Sequence, residues 1–192
     1  MLTESAARWM LVLHTALGVT AVGAATHLVI WMRGYLRGNY GRHRAVRKFA
    51  WIALAFHAAA FLAGNVMYPT YKVEVRTAYL ENADALLEAR DAKARDVDAI
   101  AVREQTPSVE QQSGKQRIQE AAKAARWFDV KEHWIALGLL ASIGLVLLLA
   151  LWDPRKDSTL LAPVAFGLSV VIAGTVWLGA IIGVLTSAWR AV

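Results

Sequence analysis

The residues best suited to chemistry in this chain are its histidines, and their positions along four apolar runs decide what that chemistry would be. His14 stands 19 residues before Arg33, and His133 stands 20 before Asp153. If Arg33 and Asp153 mark the same face of a membrane, the two imidazoles lie at nearly one depth on two helices that run in the same direction. Asn65 stands 19 residues beyond Val46 on an opposing helix and reaches the same level. Two histidines at one depth on different helices are what a b-type haem requires, because its axial nitrogens approach one iron from opposite sides. His14 and His133 are therefore the expected axial ligands, with Asn65 beside them. His57 lies deeper in the second run and stands in reserve as a ligand, since a histidine at mid-membrane is costly unless it is used. A non-haem metal held by Asp129, His133 and His14 is the other metal chemistry these spacings allow. The bland reading is that these imidazoles bond to neighbouring helices and hold nothing.

These residues need elements to position them, and hydropathy supplies those elements. The 192 residues are 57% hydrophobic, concentrated in runs at roughly Trp9–Trp31, Val46–Tyr68, Trp134–Trp152 and Leu160–Ala188. Each run is long enough to cross a hydrocarbon core of about 30 Å as a helix at about 1.5 Å per residue. A helix satisfies its own backbone in lipid, so the expected fold is all-α: an integral membrane four-helix up-down bundle. Residues 1–69 form the first helix pair, 70–128 an extramembrane segment, and 129–192 the second pair.

Charge orients this arrangement. Arg33, Arg37, Arg42, Arg44, Arg47 and Lys48 lie in one short stretch with no acid among them, whereas residues 70–128 carry ten charges of each sign. The net charge of +6 thus belongs almost wholly to the link between the first two helices. That concentration places the link in the cytoplasm, puts both termini outside a bacterial inner membrane, and gives nucleic acid no role. Trp9, Trp127, Trp134 and Trp189 would then mark the outer interface, and Trp31, Trp51 and Trp152 the inner one. There is no cysteine, which excludes disulfides, iron–sulfur clusters and covalently attached haem.

The outer segment reads as a helical hairpin. Leu80, Ala83, Leu87, Ala94, Val97 and Ala101 make one apolar stripe at three-four spacing. Thr106-Pro107 is expected to cap and open a second helix, interrupted at Ser113-Gly114 before the third run. Asp129 and Glu132 read as a capping pair for that run, and Lys131 as a snorkelling cation. The hairpin offers a surface for a membrane or periplasmic protein partner. Gly179 and Gly183 form a G-x-x-x-G on the fourth run, and Gly138 and Ser142 a similar small-residue surface on the third.

Two stretches, Tyr68-Pro69-x-Tyr71 with Val75, Arg76, Tyr79 and Leu80, and Phe128-Asp129-x-Lys131-Glu132, resemble segments of a group of uncharacterised bacterial four-helix membrane proteins. The resemblance covers under a fifth of the chain and brings no activity. It implies that Arg76, Asp129, Lys131 and Glu132 do more than solubilise. The four-helix layout is also similar in architecture to the membrane anchors of b-type cytochromes. Two readings follow: an electron-transfer protein binding haem b, with quinol as a conceivable redox partner, or a non-catalytic membrane subunit or assembly factor.

Overall fold

In a computed structural model that describes residues 2–107, 113–157 and 159–188, the chain is all-helical, with no strand among those residues. Five α-helices follow in order: α1 (Glu4–Met32), α2 (His43–Thr70), α3 (Ala83–Glu104), α4 (Gly114–Leu151) and α5 (Ala162–Ala188). A π-helix, Tyr71–Leu80, extends α2, and short 3-10 turns occupy Tyr35–Arg37 and Thr159–Leu161. Four stretches, Glu4–Arg37, His43–Leu80, Gly114–Leu151 and Thr159–Ser187, are long and apolar enough to cross a membrane. Large apolar side chains such as Leu147, Leu151 and Leu185 face outward from them. In water those surfaces would be unfavourable, so they point to a multi-pass protein in a lipid bilayer.

The chain divides into two compact units. The first comprises Leu2–Met67 and Val130–Ile182; the second comprises Tyr68–Asp129 with the residues from Gly183 onward. In the first unit, alanines at helix contacts let the backbones approach closely. Ala25 and Leu28 of α1, Ala50 and Ala53 of α2, Leu149 of α4 and Ile172 of α5 share one buried cluster. In the second unit, Leu80, Leu86, Ala121 and Ala125 form a smaller core, flanked by Val75, Tyr79 and Ile118.

Several local expectations change. The second apolar run does not leave the helix at Tyr68. Pro69 lies inside α2, and the π register follows directly after it. Proline has no N–H to donate, so the ladder is broken there, and a wider turn lets the helix continue. The amide of Glu81 closes the π segment on the carbonyl of Arg76, 2.8 Å away and five residues back.

Thr106-Pro107 directly follows the end of a helix. Gln105 adopts a left-handed conformation (φ 53°), and the Thr106 amide donates to the Ala101 carbonyl at 3.0 Å, a Schellman closure of α3. The expected continuation falls on residues 108–112, outside the described residues. The next helix starts at Ser113: its Oγ accepts from the Gln116 amide, while Gln116 Oε1 accepts from the Ser113 amide, both at 3.3 Å. That reciprocal pair is a capping box. Since α4 then runs unbroken to Leu151, Asp129 and Glu132 are interior to a helix and cap nothing. The expected stripe holds in large part: Leu80 and Ala101 are buried and Leu87, Ala94 and Val97 half-buried, whereas Ala83 is exposed and Leu86 joins the core. Asn82 caps α3 by accepting from the Ala85 amide.

Candidate functional site

His14 is the best placed of the residues picked out by depth. Its half-buried ring faces α2, with Nδ1 2.9 Å from the Ala60 carbonyl. Gly64 lies one turn further along α2, and a Cβ there would come within 3.2 Å of His14 Cε1, so the glycine makes room for the imidazole. The charge of Lys131 on α4 acts on this ring, and Glu132 acts on Lys131.

His133 stands nine residues before Ser142, about 180° around α4 from the hydroxyl that meets His57, and its side chain is exposed. Asn65 is exposed as well; its Nδ2 donates to Phe61 O at 3.0 Å on its own helix. Of the three residues read at one depth, His14 is half-buried against α2, whereas His133 and Asn65 are exposed. Shared depth leaves helix rotation open.

His57 is the buried histidine of this unit's centre, only 2% exposed. Its Nδ1 lies 3.1 Å from Ser142 Oγ, and that hydroxyl lies 2.9 Å from the Gly138 carbonyl one turn back. A serine hydroxyl has a single proton. When it goes to Gly138 O, Nδ1–H must donate to Ser142, and Nε2 is left as a lone pair. Nε2 makes no hydrogen bond, although the Ile135 carbonyl lies alongside the ring. Gly138 also admits α5: a Cβ at that position would overlap Thr175 Oγ1 and stand 3.0 Å from His57 Cε1. Thr175 Oγ1 donates to Ile172 O at 2.8 Å, within α5.

Sequence reasoning recognised Gly138 and Ser142 as a small-residue surface but did not connect them to His57. The signal was available in spacing. Gly138 and Ser142 lie four residues apart, on one face of α4, and this face meets His57. Thr175 offered no comparable signal. His43 is 3% exposed, and its Nδ1 lies 2.8 Å from the Tyr35 hydroxyl. His27 contacts Trp31 edge-on, with ring centroids 4.8 Å apart, and Phe49 at 5.5 Å.

In the second unit, Arg76 of the π-helix binds two carboxylates. Its Nη1 lies 2.6 Å from Asp129 Oδ1, and its Nε lies 2.7 Å from Glu81 Oε1. Phe128 stacks on Tyr71 with centroids 3.8 Å apart and lies 6.3 Å from Tyr68. The expected three-residue metal set of Asp129, His133 and His14 is not formed. Asp129 is bound to Arg76, and no group of three or more His, Cys, Asp or Glu side chains that could hold a metal occurs among the described residues. Comparison of the chain with protein-family models, curated proteins and solved structures finds no match.

Proposed function

We propose that the chain is a non-catalytic membrane subunit or assembly factor, inserted as a four-helix up-down bundle in a bacterial inner membrane. In this reading its termini lie outside, and an extramembrane helical hairpin between the second and third spans takes a membrane or periplasmic protein partner. The observation that carries the reading is the second unit itself. A connection that merely joined two spans would need no core, yet this one has Leu80, Leu86, Ala121 and Ala125 buried together. It is fastened further by the Arg76–Asp129 pair and the Tyr71–Phe128 stack. On its outer surface α3 leaves Val102 81% exposed among charged residues. An ordered unit with an unburied valine suits docking better than spacing.

The test is a photo-crosslinking amino acid at Val102, and separately at Ile100, in intact cell membranes. A discrete crosslinked product at either position, lost when Arg76→Ala and Asp129→Ala are combined, supports the reading. Illumination that yields no product at either position argues against it.

A second reading, electron transfer through a b-type haem with quinol as redox partner, is favoured by one observation: the unpartnered Nε2 of buried His57. Haem, when bound, supplies a one-electron redox centre. The donor fits, because a ligating imidazole commonly anchors its other nitrogen as His57 Nδ1 does on Ser142. His14, likewise anchored through Nδ1, is the other candidate. The surroundings fit less well, since Gly138 and Thr175 close directly on the His57 ring. Visible spectra of the purified protein, oxidised and then reduced, separate the readings. A reduced band near ~560 nm that is lost in His57→Ala would establish the cytochrome. A featureless spectrum from cells supplied with haem would leave the subunit reading.

A further inference from the structure

The strongest charge feature of the chain lies at the far end of α1 and the start of α2. Arg33, Arg37, Arg42, Arg44, Arg47 and Lys48 are all exposed, and none forms an ion pair among the described residues. The loop that carries them is held in shape. Tyr35 is 2% exposed, its hydroxyl meets His43, and its ring packs edge-on against Tyr40 at 5.3 Å and Trp152 at 6.2 Å. Gly38 takes the left-handed conformation (φ 72°) that reverses the chain.

The acid that faces this loop is already engaged. Asp153, whose charge acts on His43, receives both Nε and Nη2 of Arg155 at 3.0 Å. Asp157 Oδ2 in turn accepts from the Asp153 amide at 2.8 Å. The six cations are therefore left to an external anion.

The first turns of α2 indicate which anion. Arg44, Lys48, Trp51 and Ala55 follow at i, i+4, i+7 and i+11 and form one exposed stripe, with Arg47 beside it. Val46, Ala50 and Ala53 occupy the buried face. Cations, an exposed Trp and then apolar surface, in that order down a membrane-crossing helix, match the phosphate, interface and acyl levels of a lipid. We propose that this face of α2, with the loop before it, binds an anionic phospholipid. Its phosphate lies over Arg44, Arg47 and Lys48, and an acyl chain runs along Trp51 and Ala55. A free anion would have no use for the lower half of the stripe.

The experiment uses the full chain in a neutral detergent, titrated with phosphatidylglycerol, phosphatidylcholine or inorganic phosphate and read by native mass spectrometry. Phosphatidylglycerol should bind saturably and phosphatidylcholine should not. Each cation removed should weaken binding about fivefold, so R44Q/R47Q/K48Q should lose roughly a hundredfold. Trp51→Ala should weaken it several-fold. Should the triple variant fail to fold, the single variants R44Q and K48Q decide through their fivefold steps. Equal binding of both lipids overturns the proposal, as does wild-type affinity in the cation variants. Full displacement by an equal concentration of inorganic phosphate would make this an anion site and not a lipid site, and would also overturn it.

Discussion

Arg76 and Asp129 meet at 2.6 Å across 53 residues of sequence, and the same guanidinium holds Glu81 at 2.7 Å. The π register of Tyr71–Leu80 presents Arg76 to Asp129, and the Phe128–Tyr71 stack lies beside the pair. The side chains of Arg76 and Asp129 are only 24% and 41% exposed, so solvent screens the pair incompletely. Arg76→Ala and Asp129→Ala should each destabilise the second unit. A double-mutant cycle on thermal unfolding should give a coupling of up to about 1 kcal/mol. Strictly additive effects would mean that the pair is incidental.

Identical glycine substitutions should have opposite effects at two positions of α4. At Gly138 a methyl group would strike Thr175, whose Cβ would be 2.8 Å away, and His57. At Gly144 nothing lies within 4 Å. Gly138→Ala should therefore cost about 1–3 kcal/mol through overpacking. Gly144→Ala should stabilise by up to about 1 kcal/mol through helix propensity. Melting temperatures in one detergent read both, and Thr175→Gly should recover part of the loss at Gly138. A Gly138→Ala protein as stable as wild type would show that α4 and α5 do not pack as described.

His57 and Ser142 should be energetically coupled. Interhelical hydrogen bonds in membranes average about 0.6 kcal/mol and reach about 1.7 kcal/mol. The buried pair at 3.1 Å belongs towards the upper part of that range, because loss of Ser142 removes the hydrogen bond that Nδ1 makes in a buried position. His57→Ala, Ser142→Ala and the double variant, compared by unfolding, give the coupling directly. A value near zero would refute the bond.

The Asp153–Arg155 turn should respond to acid. Two side-chain bonds from Arg155, and then its backbone amide at 3.1 Å, pull the Asp153 carboxyl from its ordinary 3.8 down to about 2. A carboxyl whose value is depressed by folding adds stability above 3.8 and loses it as pH falls through about 2. The turn should therefore be fully formed at neutral pH and loosen only between about pH 4 and 2. Carboxyl NMR titration should place the Asp153 midpoint near 2, moving towards 3.8 in Arg155→Gln. An unmoved midpoint would assign the shift to something other than Arg155.

The number and placement of membrane-competent helices were legible in the sequence, because hydropathy over about twenty residues is a local property that lipid reads directly. Helix ends were legible where one side chain caps them, although the Ser113–Gln116 pair was passed over for the Thr106-Pro107 signal. The candidate site was legible only in part. Counting residues gives depth but not direction, and that His14 faces Ala60 of α2 was not legible from it. It could not tell that His133 and Asn65 would be exposed. Rotation about each helix axis is set by packing. Gly64 leaves room for His14, and Gly138 leaves room for Thr175 and His57. Composition and spacing made this an all-helical chain with four apolar spans. Only the tertiary contacts decided that His57, held by Ser142 with Nε2 unpartnered, and Arg76, held by Asp129, are the polar groups on which further chemistry must be argued.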